Sequence, residues 1–441
     1  MMIKTDNEDS VKKKRLTSTL IVLFILFSEL SSPFLSGRFV LIHDVHTFVM
    51  LPLCVLGGIC FVMCFREGLK TSVLGVVTSF TLFFICVHFM IAGHSDFVGL
   101  YALSVVVILI SYSMKLYNRI PYRIIIGFGV FAIIGILFQI LFQPFYNEHI
   151  APLFLDPYAV ITWSTYYGYS GFFYQVGDTS FALLFAEGVC IASFFSEEKK
   201  KKVLFLFCAI VLVIFIALTG KRATTAIAVI VPILVLIINK RTRRFGIFLA
   251  LALLLVTAAF VLILIKSDGL VSQSYFLGRI QDTVLSALSG SDFTSTRIAL
   301  WRVAIDLFRE RPIFGNGITS FRSLSGMGTD PHNIYLQSLC EMGIVGFLLL
   351  VATVFWNLLF TVRVYNRDNR VSKIALSFSL FAQIEFMIDG FFENCLTNEI
   401  EIMMYVISIG IVHSIAIRNE YVKSLTITKL LSNFHISEGK L

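Results

Sequence analysis

The chain has 441 residues, of which 57% are hydrophobic and 15% charged, with a mean hydropathy of +0.85 and a formal charge of +8. Soluble domains carry about 25% charged residues, so an aqueous globular fold is excluded; runs of roughly 20 apolar residues recur, the length that crosses a bilayer core as helix. The excess positive charge does not mark a nucleic-acid partner, because it follows an alternation of loops.

The leader MMIKTDNEDSVKKKR is polar and no small-residue cleavage site follows the first apolar run, so that run is read as a span rather than a cleaved signal. Twelve transmembrane helices are predicted, at about 16–36, 47–65, 71–92, 96–114, 123–145, 179–196, 203–219, 223–239, 245–265, 342–362, 373–391 and 400–417. Basic residues fill every second loop: Lys12–Arg15, Arg66 and Lys70, Lys115 with Arg119 and Arg123, Lys199–Lys202, Lys240–Arg244, Arg363–Lys373 and the tail from Arg418. The intervening short loops hold only Arg38, none around AGHSDF, and Lys221 with Arg222 in TGKRAT. Both termini are therefore expected in the cytoplasm. Residues 1–441 read as one all-α polytopic membrane domain with two longer extracytoplasmic segments, 146–178 and 266–341. Long structured loops are usually functional. The eight cysteines fall mostly in apolar runs; Cys54, Cys60 and Cys64 share a helix but complete no metal-ligand set, so they read as small buried side chains without a disulfide.

Segment 146–178 is aromatic, with Tyr158, Trp163, Tyr166, Tyr167, Tyr169, Phe172, Phe173 and Tyr174. Such rings stack on sugars, with Trp163, Tyr166, Tyr167 and Tyr174 the glycan-contact candidates; they also form belts at membrane interfaces. Within the spans, Glu187, Glu385 and Asp389 are costly unless paired or hydrated. Asp389, near the outer end of its span, either orients an arginine or forms a structural ion pair. LTGKRATTA sets Lys221 and Arg222 at an outer junction, against the positive-inside bias, where they either hold a diphosphate or anchor at the interface.

STRIALWRVAIDLFRERP reads as an amphipathic helix, capped by Ser295 or Thr296, ended by Pro312, and striped by Trp301, Ile305 and Phe308. Arg297 lies one turn before Trp301 on that face, as an anion ligand or as a snorkelling side chain. RPIFGNGITSF follows, its Gly315 and Gly317 permitting tight turns and close approach to a ligand. Then Asp330-Pro331-His332-Asn333 leads into IYLQSLCEMGIVGFLLL, so His332 sits where a helix enters the membrane. It is either a general base, histidine's usual role near neutral pH, or a helix cap.

These residues carry a resemblance. RPIFGNGITSF…PHNIYLQSLCEMGIVGFLLL resembles the signature of the O-antigen ligase and polymerase family of bacterial membrane glycosyltransferases. The pattern is Pro-x-x-Gly-x-Gly, His-Asn-x-Tyr-Leu-Gln and Glu-x-Gly-x-x-Gly, here Pro312, Gly315, Gly317, His332, Asn333, Tyr335, Leu336, Gln337, Glu341, Gly343 and Gly346. TRIALWRVAIDLF resembles the family's Arg-x-x-x-Trp helix, and LTGKRATTA its Ser-Arg junction, with Lys221 replacing the usual serine. The resemblance covers roughly residues 205–410; the first half matches in hydropathy and span count alone.

The resemblance implies a GT-C-like fold and, at the outer membrane face, an undecaprenyl-diphosphate-linked oligosaccharide donor used without nucleotide sugar, metal or other cofactor. It implies His332 as the base and Arg222 and Arg297 as the diphosphate clamp, with Lys221, Trp301, Asn333, Tyr335, Glu341 and Asp389 as possible supporting residues. No acidic cluster with metal-ligand spacing is read in the outer loops. Polymerisation of lipid-linked repeat units, with membrane lipids and a chain-length regulator as expected partners, is preferred over ligation to a lipid A core or a protein. That preference rests on the family-level argument that each surface-polysaccharide system needs its own divergent polymerase. A non-enzymatic transporter or flippase is disfavoured, because related halves and midplane charges at broken helices are missing from the pattern.

Overall fold

A computed structural model describes residues 2–30, 45–66, 68–113, 120–154, 156–166, 168–196, 199–240, 242–266, 281, 285, 297–367, 373–423 and 425–426. Arg38, His43, Lys115, Arg119, Tyr167, the Ser295–Thr296 cap, most of the loop before Arg297 and the tail after 426 lie outside the described residues.

The described chain is helical: α1 (Met2–Leu30), α2 (Val45–Arg66), α3 (Val73–Ile91), α4 (Ser95–Ile110), α5 (Ile120–Leu141), α6 (Gln143–Phe145), α7 (Pro157–Tyr166), α8 (Val176–Ser196), α9 (Lys199–Leu218), α10 (Arg222–Ile238), α11 (Arg243–Lys266), α12 (Arg297–Glu310), α13 (Ser320–Leu324), α14 (Ile334–Arg367), α15 (Lys373–Asp389) and α16 (Glu399–Arg418). A two-residue antiparallel pair joins Lys70–Thr71 to Leu425–Thr426. Each of the twelve expected spans overlaps a helix, the first only up to Leu30, beyond which it lies outside the described residues. Among the described residues, six helices are long and apolar enough to cross a membrane: Val73–Ile91, Pro121–Leu141, Val176–Phe195, Lys201–Leu218, Ile334–Arg367 and Glu399–Arg418. Four shorter apolar helices accompany them, Arg15–Phe27, Met50–Arg66, Phe97–Ile110 and Arg222–Ile238.

Helix α15 lies inside the bundle, packing on α8, α10, α14 and α16. The apolar stretch of α16 is buried throughout, whereas only 17% of that of α9 is. The exposed face of α9 is Val203, Leu204, Leu206, Phe207, Ile210 and Ile214, a composition suited to lipid. The inner helices carry the polar groups, and several of these are matched across helices, while buried carboxylate oxygens of Glu187, Glu385 and Asp389 have no hydrogen-bond partner among the described residues. Thr81 and Thr353 hydroxyls meet at 2.7 Å, Asn357 Nδ2 donates to Thr78 Oγ1 at 2.8 Å, and Thr361 Oγ1 donates to Gln383 Oε1 at 2.8 Å. His413 joins Asn357 at 3.1 Å and Ser72 at 2.9 Å. In an apolar solvent such bonds hold helices in register, since neither partner has water as an alternative.

The connections sort to two ends. At one end His94 bonds Thr319, the Tyr169 amide donates to the Leu218 carbonyl, and the Ile334 amide to the Gly390 carbonyl. At the other, Asn239 bonds Tyr365, Arg418 donates to the Tyr112 carbonyl, and Arg367 to the Tyr421 carbonyl. The first group is made of the segments read as outer, the second of those read as cytoplasmic.

Candidate active site

The first of these ends is organised by a broken helix. Helix α14 is interrupted at Gly343 (φ 66°, ψ −170°), which leaves carbonyls before the break and amides after it without helical partners. The turn at residues 312–317 supplies them. The Asn316 and Gly317 amides donate to the Cys340 and Glu341 carbonyls at 3.0 and 2.8 Å, and the Ile344 and Val345 amides to the Pro312 and Ile313 carbonyls at 2.8 and 3.3 Å. The contact is backbone on backbone: a Cβ on Gly315 would strike the Glu341 carbonyl, and one on Gly343 the Ile313 carbonyl. The close approach read from the glycines is thus made by another part of the same chain. Glu341 serves this frame too, its carboxylate accepting from the Phe321 amide at 3.1 Å and from Gln337 Nε2 at 3.2 Å.

Ahead of the break, the cap of α14 is Asn333. Its Oδ1 accepts from the Tyr335 and Leu336 amides, both at 3.0 Å, the standard way of satisfying orphan amides at a helix start. His332 is not the cap. It stands one residue earlier with φ 49°, in the left-handed region that non-glycine residues rarely occupy. Such conformations persist only where neighbours enforce them. Here Trp301 Nε1 donates to the Pro331 carbonyl at 3.1 Å, Tyr335 Oη donates to the Met387 carbonyl at 2.8 Å, and the Tyr335 ring packs on Phe391 at 4.6 Å between centroids. Trp301 and Tyr335 therefore hold the His332 backbone from its two sides. Arg322 pairs with Asp330 at 2.6 Å and ties down the same segment.

Helix α12 differs in one respect from its sequence reading. Its fully buried stripe is Leu300, Ala304 and Leu307, packed with Phe321 and Cys340; Trp301 and Phe308 are partly buried against it, while Ile305 is exposed. The face is set by packing on α14 and not by a membrane surface, which turns the helix by one position. Arg297, three residues before Leu300, begins this face and is half-buried.

The ionisable groups meet at Glu393, in the loop between α15 and α16. Lys221 Nζ donates to its Oε1 at 2.7 Å, and His332 Nδ1 lies 3.6 Å from its Oε2. The other imidazole nitrogen, Nε2, lies 3.4 Å from Thr329 Oγ1. Burial alone would raise the Glu393 carboxyl, but the Lys221 ammonium and the His332 imidazole outweigh it and hold it down to about 2. Burial likewise pulls the Lys221 ammonium down, while Glu393, with Asp389 and Asp178 further off, more than reverses this and raises it. Arg297 and Lys221 both act on Asp389, so residues from α12, the α9–α10 junction, the entry to α14 and the end of α15 share one electrostatic neighbourhood. Arg222 follows Lys221 as the first residue of α10. The end of the Lys221 side chain lies across Gly177 at the start of α8, at ordinary contact distance from where a Cβ there would stand.

Two parts of this were not read from the sequence. Glu393 was missed because a lone acid in FFENC has no motif around it; only the fold sets it opposite a basic junction 172 positions away. The second is a buried group at the facing ends of α15 and α16: Asp389, Cys395 and Glu401 place ligand-type atoms within 4.8 Å of one another. Their spacing could hold a metal ion, which corrects the reading that no such acidic cluster exists at this end. It escaped because its members sit in three different elements.

The aromatic segment behaves differently. Tyr174 is buried, its ring meeting Trp163 edge-on at 5.4 Å and Phe154 at 5.9 Å between centroids. With Tyr146, Ala151 and Val160 they form a small core separate from the main one. Tyr166 ends α7, and Tyr167 lies outside the described residues.

Residues 182–351 match the family model described as O-antigen ligase. The match begins in α8, runs through Lys221, Arg222, Arg297 and His332, and ends beyond the α14 break. No curated protein matches the chain.

Proposed function

We propose, on the premise that residues 182–351 assign the chain to the O-antigen ligase and polymerase family, that it is a surface-polysaccharide polymerase. In this reading it joins undecaprenyl-diphosphate-linked repeat units at the outer face of the cytoplasmic membrane. The chain crosses the membrane twelve times with both termini inside, which puts the end bearing His332 outside. The observation that carries the reading is a histidine, held in a rare backbone conformation and relieved of capping by Asn333, that faces Glu393, the carboxylate also held by Lys221 from another segment.

The chemistry follows from these groups. The acceptor sugar hydroxyl gives its proton to His332 Nε2 as its oxygen bonds to the donor's anomeric carbon. The bond from that carbon to the diphosphate oxygen breaks, and the electron pair leaves with undecaprenyl diphosphate. A base contributes about 10²–10⁴-fold to such a step. Arg222 and Arg297 hold the charge that develops on the leaving diphosphate, where preorganised cations in a poorly solvated site are most effective. Trp301, Tyr335, Asn333 and Glu341 keep the frame, as their hydrogen bonds indicate. Tyr174 is taken up by the small core and drops out as a glycan contact, which leaves the partly buried Trp163, with Tyr166 and Tyr167, as the candidates. A chain-length regulator is the expected protein partner.

The test is transfer by the purified protein in lipid nanodiscs, with lipid-linked repeat units as the sole sugar. A ladder of polymer, unchanged by EDTA, is expected. Product that appears only when lipid A core or a protein acceptor is added would reassign the chain as a ligase. Activity lost to EDTA and regained with a divalent ion would overturn the metal-free step and turn attention to Asp389, Cys395 and Glu401. Transport of lipid-linked glycan without any new glycosidic bond would end the enzymatic reading.

A further inference from the structure

Glu393 lies outside the matched family region and outside every motif read from the sequence. It is nevertheless where the two unusual basic groups of this end converge. Its two oxygens are used separately: Oε1 by Lys221 at 2.7 Å, and Oε2 by the His332 Nδ1 side at 3.6 Å. A carboxylate gripped on one oxygen by a half-buried ammonium cannot rotate freely, so its second oxygen is held toward the imidazole. The loop carrying it is fixed as well. The Glu393 amide donates to the Asp389 carbonyl at 2.9 Å, and the Ile334 amide, two residues after His332, donates to the Gly390 carbonyl at 2.8 Å. Carboxylate and imidazole thus ride on segments bonded to each other through their backbones.

We infer that Glu393 is a positioning residue that, locked by Lys221, holds the Nδ1–H of His332 and so leaves Nε2 as the proton acceptor. Imidazole has two distinguishable nitrogens, and the hydrogen bond made by one decides which is free to take a proton. A carboxylate on the far nitrogen fixes ring orientation and tautomer, and stabilises the imidazolium formed on proton transfer. At 3.6 Å the contact is longer than a hydrogen bond, and catalytic hydrogen bonds commonly tighten only when substrate is present. The inference also gives Lys221 a use. This lysine, where the resembling family has serine, locks the positioning carboxylate; its charge is answered by Glu393 and is not the main grip on the diphosphate.

The inference rests on His332 being the base, and the experiment separates the two. Polymerisation is measured with purified lipid-linked repeat units for wild type, His332→Ala, Glu393→Gln, Glu393→Asp and the pair Glu393→Gln/Lys221→Met. Glu393→Gln is expected to lower kcat by about 10²-fold or more, as loss of a histidine-orienting carboxylate does, with the donor KM within about threefold of wild type. Glu393→Asp is expected to recover part of the loss. The paired variant removes both charges and leaves no unpaired ammonium, so it folds even if Glu393→Gln does not accumulate, and its kcat should be as low as that of Glu393→Gln. Wild-type kcat in the paired variant, or a loss confined to KM, would overturn the positioning role while the reading of His332 stands. Activity in His332→Ala would instead remove the base itself, and the inference with it.

Discussion

The two longer segments at the candidate-site end, 146–178 and the stretch from Arg297 to the α14 break, solve different problems with different residues. The first is rich in aromatic rings and uses them in packing: Phe172 and Phe173 lie against Phe131 of α5, and Phe173 joins the main core. Tyr146, Phe154, Trp163 and Tyr174 close a small core, and the segment's reach toward the site is through backbone, where the Tyr169 amide meets the Leu218 carbonyl just before Lys221. The second has fewer rings and uses its glycines and caps in docking to a broken helix, with His332 facing Glu393 of another segment. In the first segment the rings serve packing; in the second, ionisable groups converge on backbone hydrogen-bonded segments, which is the arrangement the proposed chemistry uses.

The sharpest way to break this contrast is to remove charge from the second segment and its partners. Arg222→Ala and Arg297→Ala are each expected to lower polymerisation by about 10²–10³-fold, the usual effect of deleting one donor to a developing negative charge, while the protein accumulates at normal levels. Lysine at either position should restore only part, since it cannot make paired bonds to phosphate oxygens. Full activity in both alanine variants would leave these arginines as interfacial anchors. Topology is tested alongside: cysteine labelling should reach residues 311–329 from the outer face and 199–202 from the cytoplasmic face, and the reverse pattern would end the proposed orientation.

Docking of the second segment is tested at the helix break. Gly343→Ala places a Cβ against the Ile313 carbonyl at φ 66° and ψ −170°, a region that is nearly glycine-only. A loss of about 1–3 kcal/mol is expected from the strain, with the clash against the Ile313 backbone in addition, read as a fall in detergent melting temperature or failure to accumulate. Gly317→Ala also meets a positive φ but has open space around it, so its loss should be smaller. Equal stability of the two variants would mean that the backbone docking is unimportant.

Much of this arrangement was legible in the sequence, for identifiable reasons. Helix positions followed from apolar run length, because a bilayer imposes a nearly fixed span. His332 stood out because turn chemistry before it and an apolar helix after it left it no room in a core. What the sequence obscured was orientation and partnership. The one-position turn of α12 depended on α14 being its neighbour. The choice between cap and base depended on Asn333 being seen to cap. Glu393 depended on a contact between segments far apart in the chain, which no periodicity encodes.

The electrostatic centre makes a smaller, pH-dependent contribution. Glu393 sits at about 2 against an ordinary 4.5, so its pairing stabilises the fold above the ordinary value and is lost as pH falls through the window between the two. The contribution is about 3 kcal/mol at most. Melting temperature of the detergent-solubilised wild type should therefore fall between pH 4.5 and pH 2. The paired variant Glu393→Gln/Lys221→Met should show a shallower fall across the same window. Parallel curves would mean that Glu393 ionises alike in folded and unfolded chains.

The smallest expected effect separates the two residues that a short motif runs together. Asn333 and His332 are adjacent, and only the first satisfies amides of α14, those of Tyr335 and Leu336 at 3.0 Å each. Asn333→Ala should therefore cost about 1 kcal/mol of stability, and Asn333→Asp or Asn333→Ser much less, since both retain a capping oxygen. His332→Asn should leave stability close to wild type, because the cap is already supplied, and should abolish transfer. The measurement is melting temperature against single-turnover rate for the same four proteins. If His332→Asn melts like wild type and remains active, the histidine is neither cap nor base. If Asn333→Ala loses activity without losing stability, the asparagine touches substrate, and the division of labour between the two positions has to be redrawn.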